Sequence, residues 1–297
     1  IEKDGRIITQ DDSYVKATIS VADKNVKAKI RLKGDIIDHL EGHKWSLRVN
    51  VSGDNSLFGM RRFSLQHPKR SSWINEWILH EWYKYESLIF LRYNFVKVFI
   101  NGKNYGVYAL EESFDKELIE NNRRREGPIL KFNESELHDG TRYNTSTVTN
   151  QSDIFFSSNV KPFRYSKVIR DSLLFNQFLI GRKLLYDFRQ GSISASNAFD
   201  LKKVAKLYAL TNIADSPHSL RWKNVRFYYN PIINRLELIG YNAYGPTNEI
   251  HSRGNMSLKN YTNNFMIDDF HDLFFKDSSF IKYYTKYLRE MSNKDYL

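Results

Sequence analysis

The sequence contains no cysteine, which excludes disulfides, thiolate catalysis and cysteine-ligated zinc or iron–sulfur sites. Cysteine usage leaves the compartment open. No stretch approaches about 18 consecutive apolar residues, so no membrane-spanning helix is expected. Internal repeats and low-complexity tracts are also missing. The chain opens at Ile1 without an initiator Met or a signal peptide, which reads as a piece of a longer protein.

What is present is globular in composition. Hydrophobic residues make up 41% and aromatics 15% of 297 residues, enough for a sizeable core in one large domain or two lobes. The net charge of +11 suits an anionic partner, whether nucleotide, acidic protein, polysaccharide or membrane surface. Basic residues are dispersed, the tightest run being Arg123-Arg124-Arg125 at an expected helix end. No local motif promotes nucleic acid, which is not expected as a partner.

Residues 6 to 67 read mainly as strands, because "YVKATISV", "VKAKIRLKG", "KWSLRVNV" and "FSLQH" alternate with period two between polar turns. Ser72 is expected to cap a helix from Trp73 to about Ile89, with Trp73, Trp77, Ile78, Trp82, Tyr85, Leu88 and Ile89 as its apolar positions and the tryptophans on a buried face. "YNFVKVFINGKNYGVYALEE" predicts a hairpin turning at Asn101-Gly102. Ser113 is expected to cap the next helix. Residues 137 to 161 read as a long Ser/Thr/Asn-rich loop. Asn133, Asn144, Asn150 and Asn260 form glycosylation sequons of the kind that arise by chance in an Asn-rich chain. Helices are expected at 166–190, 200–214 with Asp200 as cap, 268–275 and 279–291, with a lone hairpin at 225–239. The layout is α+β: a β-rich N-terminal lobe over residues 1–110 and a mainly helical C-terminal lobe over 111–297.

The chemistry gathers around that lone hairpin. Its antiparallel strands bring Asn224 close to Tyr241-Asn242, at a facing separation of roughly 5 Å that allows one shared metal ion. Upstream, "NIADSPHSLRWKN" runs from a helix end at Asp215 through His218 to Asn224. An Asp in a loop, an Asn, a hairpin and a polar residue after it is an order that protein kinases also use, there to position a hydroxyl and hold Mg²⁺. The spacing from Asp215 to Asn224 is wider than the usual kinase catalytic loop.

A longer stretch, "IRLKGD" through "HKWSLRV" and "LFGMRRFSLQHP" to "FINGKNYGVYALEESFDKE", resembles the spore-coat CotH kinase family. "IRLKGD…HKWSLRV…LFGMRRFSLQHP…EWILHEW" and "RYNFVKVFINGKNYGVYALEESFDKELIE" follow its pattern almost continuously from Lys29 to Leu118, and the likeness resumes from Asp215 to Gly245. The resemblance implies an atypical two-lobed protein-kinase-like fold that uses ATP and Mg²⁺ to phosphorylate Ser or Thr of a secreted or surface protein. By the same resemblance, Lys44 is the candidate for steadying the nucleotide phosphates and Arg48 a second phosphate contact. Glu81, in preference to Glu76, would pair with Lys44. Leu110 and Glu111 would connect the lobes beside the adenine. Asp215 would be the catalytic carboxylate, with Asn224 and Asn242 at the metal positions.

Position 242 is where the chain departs from the pattern. Relatives carry Asp there, and an amide brings no negative charge to Mg²⁺. Two readings account for it: a kinase-like protein that binds nucleotide without transfer, or a working kinase whose Asp was changed deliberately. The presence of Asp215 and Asn224 favours the latter slightly. A nucleotide-binding scaffold and a carbohydrate-directed surface module are the other classes open at this point.

Overall fold

The computed structural model describes residues 13–34, 37–40, 42–133, 155–242 and 269–296. Most of the expected Ser/Thr/Asn-rich loop, the sequons at Asn144, Asn150 and Asn260, and the segment after Asn242 lie outside them. The architecture is mixed α/β, with two sheets and helices packed mainly around the second.

The first sheet has six strands in the order β1-β2-β3-β4-β7-β6, all antiparallel. These are β1 (Val15–Val21), β2 (Lys24–Leu32), β3 (Leu47–Val51), β4 (Arg62–Gln66), β6 (Tyr93–Ile100) and β7 (Lys103–Glu112). Alternation explains them: Val26, Ala28, Val49, Val51, Phe63 and Leu110 share one face and form a buried cluster, while Lys, Arg and Ser fill the other. Asn101 and Gly102 join β6 to β7 with φ of 50° and 79°, the positive pair that a two-residue hairpin turn requires. β7 crosses the expected lobe boundary at 110/111 and runs between β4 and β6.

The helix after β4 differs from expectation. Ser72 and Trp73 both take left-handed backbone angles (φ 53° and 60°), so Ser72 ends a 3₁₀ turn at Pro68–Ser71 and caps no helix. Helix α1 spans Asn75–Tyr85, and Ile89–Phe90 form a short strand, β5. Its buried side is Glu76, Leu79, His80 and Tyr83. Trp73, Trp77, Ile78 and Tyr85 are exposed. The aromatic spacing misled because a buried Glu76–His80 pair (3.1 Å) occupies the inward face. Trp82 is only partly buried, its indole N–H donating to the Tyr296 hydroxyl at 3.0 Å.

The second sheet orders its strands β5-β11-β10-β8-β9. Strands β10 (Phe227–Asn230) and β11 (Arg235–Gly240) are therefore no lone hairpin. They sit at the centre, flanked by β8 (Ile129–Phe132) and β9 (Val160–Pro162) on one side and by β5, parallel to β11, on the other. The flanking strands are too short to show a period in the sequence. Gly240 lets β11 approach α1, for a Cβ there would fall 2.5 Å from the Tyr83 ring.

Around this sheet pack α2 (Lys116–Asn121), α3 (Tyr165–Val168), α4 (Ser172–Arg189), α5 (Ala195–Ala198), α6 (Leu201–Ile213), α7 (Asp269–Phe275) and α8 (Ser278–Met291). Asp115, in place of Ser113, caps α2 by accepting from the Lys116 N–H. Asp200 caps α6 as its position suggests. The core between sheet and helices is aromatic, with Phe188, Phe199, Phe227, Phe270 and Phe274 in edge or tilted contact.

Candidate functional site

Two clusters of polar side chains stand out. The first lies at the open end of the β10–β11 hairpin. Helix α6 stops at Ile213, and Asp215 follows with φ 49°, a strained angle for a residue with a Cβ. A 3₁₀ turn, Pro217–Leu220, leads to Asn224. The Asn224 amide donates to the His218 carbonyl at 2.9 Å, and the Tyr241 hydroxyl donates to the Asn224 carbonyl. Asn242, again with a positive φ (53°), hydrogen-bonds His218 through side chain and backbone. Asn224, His218 and Asn242 thus come together, as the hairpin argument requires.

Arg226 fixes this end of the hairpin. Its guanidinium is buried among the Phe114, Phe163 and Tyr241 rings, 5.4 to 5.9 Å from their centroids, and donates to the Lys223 and Val225 carbonyls. Burial, and then the cations Arg221 and Lys223, push the His218 imidazole down to about 4 against the opposing effect of Asn242. It is neutral at physiological pH, and loop orientation is the role its contacts describe.

The second cluster lies on the polar face of the six-stranded sheet beside α1. Lys33 reaches Glu111 at 2.7 Å and Gln66 at 3.0 Å, and Gln66 donates to both Glu111 (3.0 Å) and Ser71 (3.0 Å). Arg48 faces Ser64, which faces Glu111, across consecutive ladders. Burial opposes ionisation of Glu111, but Lys33, Arg48 and His80 outweigh it and hold its carboxyl below the usual range. His80, paired with Glu76, stacks on Tyr93.

Lys44 and Glu81 do not meet. Lys44 donates to the Val107 carbonyl at 3.2 Å and lies over the Tyr108 ring, while Glu81 pairs with Lys84 on the exposed side of α1. Among the described residues of the six-stranded sheet, the enclosed lysine–glutamate pair is Lys33–Glu111. Sequence reasoning passed over Lys33 because it sits just beyond β2 in "RLKGD". Its place at i+2 from Arg31 on the polar side of β2 was the available signal. Leu110 and Glu111 have a neighbouring strand on both sides, so their backbone groups are committed to ladders and not open to an adenine edge. A cavity of about 350 Å³ between Val21–Lys24 and Ser56–Gly59 touches neither cluster.

Residues 30–168 match the family described as CotH kinase protein. That segment, just under half of the chain, is similar to the CotH kinase family. No curated protein matches the chain. The CotH segment contains Lys33, Arg48, Gln66, Glu76, His80 and Glu111, and so the whole second cluster. The hairpin cluster lies beyond it.

A CotH kinase implies nucleotide and metal use in general, and the residues here can be tested against a magnesium ion. Among the described residues no group of three His, Cys, Asp or Glu could hold a metal. The hairpin end offers Asp215 and two neutral amides, one of whose NH₂ groups is spent on a carbonyl. Magnesium is ordinarily held by one or two carboxylates together with substrate phosphates. This donor set does not fit it.

Proposed function

We propose that the chain is an atypical, two-lobed kinase-like protein that binds ATP, and that transfer of the γ-phosphate is impaired by the amide at position 242. The acceptor class is Ser or Thr of a secreted or surface protein, outside the cytoplasm. The observation that carries this reading is the convergence of Asn224, His218 and Asn242 at the hairpin end, immediately after Asp215. Asp215 would orient the acceptor hydroxyl. Lys33 and Arg48 would meet the nucleotide phosphates, with Glu111 holding the lysine in place. Lys44 is the peripheral alternative to Lys33.

Phosphoryl transfer asks the protein mainly for charge neutralisation and in-line positioning. A neutral amide at 242 supports positioning and supplies no charge. Binding should therefore outlast catalysis in this chain.

Titrating ATP into the protein in a calorimeter tests the binding half. The expected result is binding that weakens roughly tenfold in Lys33→Met, the order of one lost charge-assisted phosphate contact. No detectable nucleotide binding by the unaltered chain would end the proposal. Full binding in Lys33→Met, with loss in Lys44→Met, would return the phosphate role to Lys44.

A further inference from the structure

Basic residues that are scattered in the sequence gather on one face of the six-stranded sheet. Lys16 on β1 and Lys27, Lys29 and Arg31 on β2 all lie on the side opposite the Val26–Ala28–Val49 core. Lys16, Lys27 and Lys29 are exposed, and Arg31 is half-buried over the Tyr14 ring. Over β1 to β4 this face carries no carboxylate, its other members being Thr18, Ser20, Asn25, Arg48, Asn50, Arg62, Ser64 and Gln66. Among the described residues Lys16, Lys27 and Lys29 make no ion pair, and Arg31 spends its guanidinium on the Leu32 carbonyl at 2.9 Å.

The register sharpens the point. Lys16 faces Lys29 directly across the β1–β2 ladder. Like charges opposed at roughly 5 Å destabilise a sheet unless an anion lies between them. With Lys27 and Arg31 on the same side of β2, this pair forms a surface that an anionic partner would stabilise.

We propose that this face of β1 and β2 docks an acidic polypeptide segment. Cations at alternate positions of a strand are spaced by about 6.8 Å, which is also the spacing of alternate side chains in an extended peptide. An extended segment with Asp or Glu at every second residue can place its carboxylates over Lys27, Lys29 and Arg31 in step. A single-stranded nucleic acid would want aromatic rings on which to stack its bases. Among the described residues of β1 and β2 and their flanks, the Tyr14 ring already lies beneath Arg31. The inference does not depend on phosphoryl transfer, and Lys33, Arg48 and the hairpin end take no part in it.

The test is fluorescence anisotropy with a labelled peptide of alternating Glu and Gly, its Gln–Gly counterpart and a thymidine oligonucleotide, at low salt and near 0.15 M. The protein should bind the Glu peptide in preference to the other two. Binding should weaken at least roughly tenfold in the combined variant Lys16→Gln, Lys27→Gln, Lys29→Gln, Arg31→Gln. A variant with the same charge loss elsewhere, Lys276→Gln, Lys282→Gln, Arg289→Gln, Lys294→Gln, should keep most of it. Replacing the three lysines by Arg should preserve binding, which separates lost charge from lost fold. Three results overturn the proposal: no binding of the Glu peptide, equal loss in the two charge-matched variants, or an oligonucleotide bound as tightly as the peptide.

Discussion

Glu111→Gln removes one charge from an enclosed ion pair of the segment that matches the CotH family. Lys33 and Glu111 keep only 14% and 17% of their side-chain surface, and their 2.7 Å contact is buttressed by Gln66. Breaking a fully buried pair on one side costs about 3–5 kcal/mol, because the remaining charge is left without compensation. The residual exposure here lets water reach Lys33, and Arg48 adds like-charge repulsion once the carboxylate is gone. A loss of about 2–3 kcal/mol is expected from these opposing corrections. Lys33→Met should cost a similar amount, because it leaves the Glu111 carboxylate buried. The double variant Lys33→Met/Glu111→Gln should cost much less than the two added together, with a coupling of about 1–3 kcal/mol. Urea unfolding of the four proteins, followed by circular dichroism, measures the cycle. Additive losses would refute the view of Lys33 and Glu111 as a coupled pair. So would a Glu111→Gln cost under about 0.5 kcal/mol, which is the range of an ordinary surface change.

Other perturbations test the packing and electrostatics. Gly240→Ala drives a methyl to 2.5 Å from the Tyr83 ring, which is fully buried, and should cost about 1–3 kcal/mol in a thermal melt; an unchanged melting temperature would mean that α1 does not press on β11. Trp73→Ala, at a residue 56% exposed, should move the same melt little, whereas a core tryptophan would cost about 3–5 kcal/mol. Burial pushes His271 down to about 4, so between there and its ordinary 6.5 the unfolded chain binds more protons than the folded one. Its contribution is complete above about pH 6.5 and is lost as the pH falls towards 4. Discounted for the solvent the residue still meets, that is about 1–2 kcal/mol, and His271→Gln should flatten the melting-temperature profile over this window.

Strands with clear alternation, helix α6 with its capping Asp200, and the Asn101-Gly102 turn were legible because each rests on short-range physics. What escaped depends on partners distant in the chain. The aromatic residues of α1 have the spacing of a core face, yet the helix turns Glu76 and His80 inward because Tyr93 stacks on the histidine from a separate strand. Strands β5, β8 and β9 hold 2, 4 and 3 residues, too few to carry a period. At the candidate site, the approach of Asn224 to Asn242 could be read from hairpin topology alone. The choice of Lys33 over Lys44 as partner to a buried glutamate could not, since Gln66 and Glu111 arrive from two other strands.

The central claim is that a kinase-like site is present and that the amide at 242 withholds the charge it needs. Transfer of labelled γ-phosphate from ATP in the presence of Mg²⁺, to the protein itself or to an added acceptor, measures this directly. The unaltered chain should transfer little, Asn242→Asp should transfer readily, and Asp215→Ala introduced into that variant should abolish the gain. Equal transfer with Asn and Asp at 242, or an Asp variant as active after Asp215 is removed, would contradict the account.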